Sequence, residues 1–233
     1  MATSGSTDFT LTARQIINFA LKKIGALEGG GTASPEDADD AKEELNLLLK
    51  GMQKRGPFLF TTATDGSVSL VADQQSYDLT TVKPLRLIEV RYRDTGGREI
   101  PMTELTRTEY WELPNKDSKG VPTTFWFHPE SVDYTLYVWP VKASVTTETI
   151  KYTYQRRIED INSLDDNIDV PEEWLDTIGY QLAYRLLPSY NVTGERAARI
   201  TQFAAELWQA AKDYDREPII TMEPEMRWGR GRW

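Results

Sequence analysis

The hydrophobic positions of this chain change period twice. From about residue 11 to 56 they recur every three or four residues, from about 58 to 155 they alternate, and from about 171 to 216 the helical spacing returns. The first helical stripe is Ala13, Ile16, Ile17, Ala20, Leu21 and Ile24. Thr12 and Gln15 before it have capping-box spacing, and Leu11 is placed to staple against Ile16. Lys22 and Lys23 fall where the helix dipole favours cations, and Gly25 ends the pattern. A second stripe, Ala38, Ala41, Leu45, Leu48, Leu49 and Met52, follows the cap Ser34 and Pro35 at the first helical position. The loop Gly29-Gly30-Gly31 joins the two, so residues 1–57 predict an antiparallel helical hairpin.

The alternating stretch predicts six or seven strands and a short helix near Thr106–Trp111. Phe58–Thr62 and Val68–Val71 flank Asp65-Gly66, which reads as a hairpin turn. Leu85–Tyr92 reads as a long strand partly buried on both sides. Phe125 and Phe127 alternate with Trp126, Tyr134, Leu136 and Val138 with Thr135, Tyr137 and Trp139, and Ile150, Tyr152 and Tyr154 share one side of the following strand. An acidic loop, Glu159–Asp169, reads as solvated. Pro171-Glu172-Glu173-Trp174 opens a helix whose buried face is Trp174, Leu175, Ile178, Leu182 and Leu186. The last helix, about 194–216, carries the stripe Ala197, Ile200, Phe203, Ala204, Leu207, Ala211 and Tyr214. The expected fold is α+β: a helical bundle from the N- and C-terminal helix pairs, with an inserted antiparallel β-sandwich or barrel-like domain. The boundaries are 1–57, 58–157 and 158–216, followed by an extended arm at 217–233.

The arm is unusual. Two prolines and two glycines forbid a regular helix, yet it holds two isoleucines, two methionines and two tryptophans, residue types scarce in merely disordered tails. Trp, Arg and Met are enriched at protein interfaces, so the arm reads as a docking element, with packing back on its own domain as the competing reading. Pro218 and Pro224 hold it extended. Ile219, Ile220, Met222 and Met226 supply apolar contacts, Trp228 and Trp233 anchors, and Arg227, Arg230 and Arg232 charge.

Composition narrows the function. A formal net charge of −9 disfavours binding of free nucleic acid but suits a wall that DNA passes without adhering. There are no cysteines and a single histidine, His128 between Phe127 and Pro129, which leaves no material for a thiol nucleophile or a histidine-rich zinc site. Asp165-Asp166-Asn167-Ile168-Asp169 begins like a calcium loop, but Val170 stands where glycine is needed and Asp176 where the bidentate glutamate belongs. Glu172 and Glu173 point about 100° apart on a helix and cannot flank one bond. The glycine run lacks the strand before it and the Gly-Lys-Ser/Thr after it that a phosphate loop requires. The aromatics Tyr110, Trp111, Phe125, Trp126, Tyr134, Tyr137 and Trp139 read mainly as packing, with a sugar-binding face as the lesser use. No catalytic residue, metal or cofactor is expected. No apolar run reaches membrane-span length, so the expectation is a soluble protein made inside the cell, in which the sequon Asn191-Val192-Thr193 has no role.

The order of segments resembles the head-to-tail adaptor family of short-tailed bacteriophages, also called tail accessory or connector proteins. The matching pieces are Ala13 to Gly25, Ser34-Pro35-Glu36 to Leu49, Tyr77-Asp78-Leu79, Leu87–Val90, Glu109-Tyr110-Trp111, Gly120-Val121-Pro122, Leu136–Pro140, Val170–Trp174 and Leu182–Leu186. They span about residues 10 to 215. The resemblance implies a virion protein of the neck, made in the host cytoplasm and mounted as a ring of about twelve copies under the portal. It implies as partners the portal protein, neighbouring adaptor subunits, tail nozzle proteins and genomic DNA that passes without sequence-specific binding, with no membrane. It further implies that the C-terminal extension grips the portal, so Pro218, Ile219, Ile220, Met222, Met226, Arg227, Trp228, Arg230, Arg232 and Trp233 become portal contacts, expected to be mobile in the free protein and ordered on the portal. The competing readings are a receptor- or glycan-binding module built on the aromatic β-region, and an Arg/Trp tip that touches DNA.

Overall fold

The computed structural model describes residues 8–56, 58–129 and 133–215, together with residue 5. Five helices and eight strands occur in this span: α1 (Ala13–Ile24), α2 (Pro35–Gln53), β1 (Thr62–Ser69), β2 (Ser76–Asp78), β3 (Arg86–Arg93), β4 (Glu99–Pro101), β5 (Thr103–Glu104), α3 (Arg107–Glu112), β6 (Thr124–Pro129), β7 (Tyr134–Trp139), β8 (Thr149–Gln155), α4 (Glu172–Leu186) and α5 (Gly194–Tyr214). The caps explain where the helices begin. Thr12 and Gln15 form a reciprocal capping box at α1, Ser34 accepts the Asp37 N–H at α2, and Thr106 and Glu109 form a second box at α3. Gly25 ends α1 in the left-handed region at φ 80°.

Helices from both ends of the chain share one buried cluster, which includes Ile16, Ile17, Leu45, Leu49, Trp174, Ile178 and Leu182. Helix α4 sits at its centre, packed on α1, α2 and α5. Gly179 lets α1 approach, since a Cβ there would lie 2.7 Å from the Phe19 ring. On the opposite side, the Thr177 hydroxyl and Gln181 amide donate to the Leu207 and Ala204 carbonyls of α5, at 3.3 and 2.8 Å.

The strands form two four-stranded sheets, ordered β1-β8-β3-β4 and β2-β7-β6-β5, antiparallel except for the short β5–β6 pair. A second buried cluster draws on both sheets through Leu87, Val90, Tyr92, Phe125, Phe127, Leu136, Val138, Ile150 and Tyr152. Two expectations change here. Asp65-Gly66 is not a hairpin turn. Both residues lie within β1, where the pairing with β8 shifts between Ala63 and Gly66, so they form a bulge. A Cβ on Gly66 would stand 2.2 Å from the Tyr152 ring and 2.7 Å from its carbonyl oxygen, which accounts for the glycine. A second shift, between Leu87 and Glu89, puts Leu87 and Val90 on one buried side and leaves Ile88 exposed.

The acidic loop is solvated only in part, with Glu159, Asp160 and Asp165 exposed. Ile158, Ile161 and Ile168 are buried in the helical cluster. Asn46 of α2 clamps the loop by donating to the Ile161 carbonyl and accepting its N–H, both at 2.9 Å. The Lys50 ammonium donates to the Ile158 carbonyl at 2.7 Å and pairs with Asp160. The acids serve the loop's own backbone: Asp166 accepts the N–H groups of Asn162 and Ser163, and Asp169 pairs with Arg156 and accepts the Glu159 N–H. The loop's carbonyls at Leu164 and Asp166 in turn accept the first N–H groups of α1, from Arg14 and Ala13.

Just before β8, the nearly buried Glu148 carboxylate accepts the Thr146 N–H at 2.7 Å and that of Thr147 at 3.1 Å, and pairs with Lys142 at 3.2 Å. The backbone N–H groups first, and Lys142 after them, hold its pKa down at about 2. A depressed carboxylate stabilises the fold above its unfolded value of about 4.3 and loses that contribution as pH falls toward the folded value. Acid titration followed by circular dichroism should therefore show part of the stability lost between about pH 4 and 2, and Glu148→Gln should flatten that part of the curve. Separately, Gly66→Ala should cost about 1–3 kcal/mol in urea unfolding through the clash with Tyr152. A neutral result would refute this account of the bulge.

Candidate docking surfaces

Three surfaces bear on what the molecule can bind. The first is the place from which the arm departs. Phe58, Phe60, Trp174 and Trp208 form an aromatic group where α2 runs out toward β1. Phe58 meets Trp174 edge-on at 4.8 Å, Trp174 meets Trp208 at 5.6 Å, and the Arg55 guanidinium lies 4.5 Å over Trp208. The Asp215 carboxylate, one residue beyond α5, accepts the Leu59 N–H at 2.8 Å. Burial raises its pKa, although that N–H pulls in the other direction. The Tyr214 hydroxyl donates to Glu173 at 3.4 Å. The end of α5 is thus tied to both the 3-10 turn Leu59–Thr61 and the start of α4. The arm itself, and with it Pro218, Ile219, Ile220, Met222, Met226, Arg227, Trp228, Arg230, Arg232 and Trp233, lies outside the described residues.

The second surface is the aromatic face of the β-region. The structure divides the seven candidate aromatics. Phe125 and Tyr134 face the buried cluster between the sheets. On the other face, Trp126 stacks on Tyr137 at 4.8 Å and on Tyr110 of α3 at 5.1 Å, while Lys116 lies over both Tyr110 and Trp111. His128 stacks on Trp126 at 4.9 Å. Burial raises the Tyr110 pKa, with Tyr137 and Asp117 adding to the effect. The Trp139 indole donates to the Asn115 carbonyl at 2.9 Å. Trp111, at 57% exposure, is the large aromatic of this group left open. Helix α3 therefore caps this face, and the aromatics do not form an open platform for a sugar ring.

The third surface went unread in the sequence. Phe203 and Tyr214, assigned to the buried stripe of α5, are 48% and 69% exposed, and the residues of α5 that are buried are Ile200, Ala204 and Ala211. Phe203 instead closes a row: Phe19 of α1 meets Tyr180 of α4 edge-on at 5.5 Å, and Tyr180 meets Phe203 at 5.7 Å. The Lys23 ammonium lies 4.8 Å over the Phe19 ring. The row separates two hollows along the face shared by α1, α4 and α5. One, of about 420 Å³, lies between Phe9, Phe19, Leu175, Glu172 and Asp176. The other, of about 330 Å³, lies between Lys23, Tyr180, Arg196, Arg199 and Phe203. The sequence did hold a signal. Phe19 and Tyr180 are large aromatics at positions that belong to neither buried stripe, so each helix carries a second apolar face.

The outer side of α2 is acidic, with Asp37, Asp40, Glu43 and Glu44 gathered near Tyr190. Burial, and a 2.7 Å hydrogen bond donated to Asp37, push the Tyr190 hydroxyl up to about 12. Among the described residues no group of three or more His, Asp or Glu side chains could hold a metal ion, and no helix is long and apolar enough to cross a membrane.

Replacing Asp215 by alanine should hand the exposed Leu59 N–H over to water and cost about 0.5–1.5 kcal/mol. Amide hydrogen exchange would register this as faster exchange at Leu59 and in the last turn of α5, with β6 and β7 unaffected. Unchanged exchange at Leu59 would show that the tether does not hold.

A family model described as SU10 adaptor protein matches residues 11–224. No curated protein matches the chain. Among solved structures, a chain in the neck of an empty gene transfer agent particle is 11% identical, over 80% of this chain and 85% of that one, with a TM-score of 0.28. A chain in the virion of the native gene transfer agent particle is 10% identical over the same shares, with a TM-score of 0.24. At these scores the likeness adds nothing to the fold described above.

Proposed function

This chain belongs to the SU10 adaptor protein family, and from that premise we propose that it is a structural, non-enzymatic adaptor in the neck of a tailed-phage virion. In this reading about twelve copies form a closed ring under the portal, retain the packaged genome, present a platform to the tail and conduct DNA during ejection. The observation that carries the reading is the extent of the family match, which takes in all five helices, both sheets and the start of the arm. The helical part would face the portal and the β-region the tail.

Electrostatics support the conduit. The arm from 217 to 233 holds three glutamates and three arginines, so it is neutral in sum and the net charge of −9 resides in the rest of the chain. The acidic side of α2 suits a lumen wall that repels the phosphate backbone. The arm's apolar and Arg/Trp residues would lie in grooves between portal subunits and meet portal carboxylates, as arginine does in bidentate geometry.

Mixing with a purified portal ring tests this. The full chain should co-sediment with the ring as a regular, saturable collar. A chain ending at Arg216 should keep its circular dichroism spectrum and bind roughly a hundredfold more weakly, since two aromatic anchors at about 1.4 kcal/mol each are removed. Binding as tight as that of the full chain would refute the arm's role.

A further inference from the structure

The row Phe19–Tyr180–Phe203 and its two flanking hollows make an apolar groove along α4 that the described chain leaves uncovered. We propose that residues 217–225 of the same chain lie in this groove while no portal is engaged. The proposal deepens the reading above, because it gives the arm a place before it reaches a portal, in contrast to the mobile arm expected above for the free protein.

The first argument is where the chain goes. Asp215 is held on Leu59, and the Tyr214 hydroxyl rests on Glu173, next in sequence to Glu172 at one end of the groove. The described chain therefore ends beside the first turn of α4, where Glu172 and Asp176 line one of the two hollows. The acids there, Glu172 and Asp176, suit Arg216 as the residue that enters.

The second argument is length. Because α5 rises about 1.5 Å per residue, Phe203 lies about 18 Å and Arg199 about 24 Å back from Asp215 along its axis. An extended chain covers roughly 3.3 Å per residue, which brings Ile219 and Ile220 about 13–17 Å along, Met222 about 23 Å and Glu223 about 26 Å. The apolar residues thus fall on the aromatic row and the first glutamate reaches the basic end. Pro218 and Pro224 favour the extended backbone that this register needs.

The third argument is charge. The far end of the groove carries Lys23, Arg196 and Arg199 against one acid, Glu195, which pairs with Arg199, so the end is positive in sum, and in the proposed register Glu223 and Glu225 come opposite it. The family match also runs through Pro224 and ends before Met226–Trp233. The stretch assigned to the groove is therefore separable from the Arg/Trp tip, which stays available to a partner.

The absence of cysteine makes the test direct. Phe203→Cys with Ile220→Cys places one thiol on the groove, and Ala205→Cys with Ile220→Cys places it at similar reach on the exposed opposite side of α5. Dilute protein under mild oxidation, without any portal, should form the intramolecular disulfide on the order of tenfold faster in the first pair. Adding Lys23→Glu and Arg199→Glu should remove that advantage, and further adding Glu223→Lys and Glu225→Lys should restore it. Equal rates for the two pairs would overturn the proposal. Covalent dimers as the main product would overturn it in favour of a second copy as the occupant. Because no portal is in the tube, either failure leaves the portal-binding experiment to be decided on its own.

Discussion

The rest of the structure depends on how the chain returns from sheet to helices between residues 156 and 170. Ile158, Ile161 and Ile168 fill the space between α1, α2 and α4, while Asn46 and Lys50 fix the segment's backbone to α2. Its carbonyls then accept the first N–H groups of α1, a place usually filled by water or side chains. One irregular stretch therefore completes the core, sets the position of α2 and finishes the start of α1. Irregular backbone can be buried here because its polar groups are met from within the chain.

Helix α4 converts that placement into an arrangement of helices. Three of its sides are used differently: glycine for close approach to α1, Thr177 and Gln181 reaching α5 carbonyls, and Ile178 and Leu182 in the shared core. Helix α5 has less to hold it, with three buried residues over 21 positions. That is why the side chains at its far end matter. Asp215 and Trp208 fix the last turns, where the apolar stripe is too thin to do so.

What could be read from the sequence follows the same physics. Helices α1 to α3 were legible because capping residues and apolar spacing act locally and agree with one another, while α4 and α5, which have no side-chain cap, were legible from their spacing. The alternating strands were legible for the same reason. The Asp65-Gly66 pair was misread because small, flexible residues serve a bulge as well as a turn, and only the ring of Tyr152, distant in sequence, distinguishes them. The acidic loop was read only in part because acids suggest solvent: Glu159, Asp160 and Asp165 do face it, whereas Asp166 and Asp169 are turned onto backbone N–H groups and Ile161 and Ile168 carry the burial. The groove was missed because a stripe assignment asks which residues face inward and does not ask what an aromatic outside the stripe is for. Phe203 fits the α5 period, but no helix lies over it. The docking residues of the arm rest on composition, which names residue types suited to contact without fixing their positions.

Two buried glutamines join the helical and β regions. Gln155, at the end of β8, donates to the Gln53 and Gly56 carbonyls and accepts from Arg86, while Gln53 donates to the Ile158 carbonyl. The outgoing and returning chain segments are thereby stitched side by side where they cross. The end of α5 is tied in at Leu59, a few residues away along the chain. A pull on the C-terminal arm thus enters the molecule beside this crossing. The load would be shared between the two cores and carried across several short polar contacts in parallel, so that they are sheared together and not peeled one after another. For the adaptor proposed above, which would have to hold its grip while DNA runs past it, the anchorage would lie at this crossing.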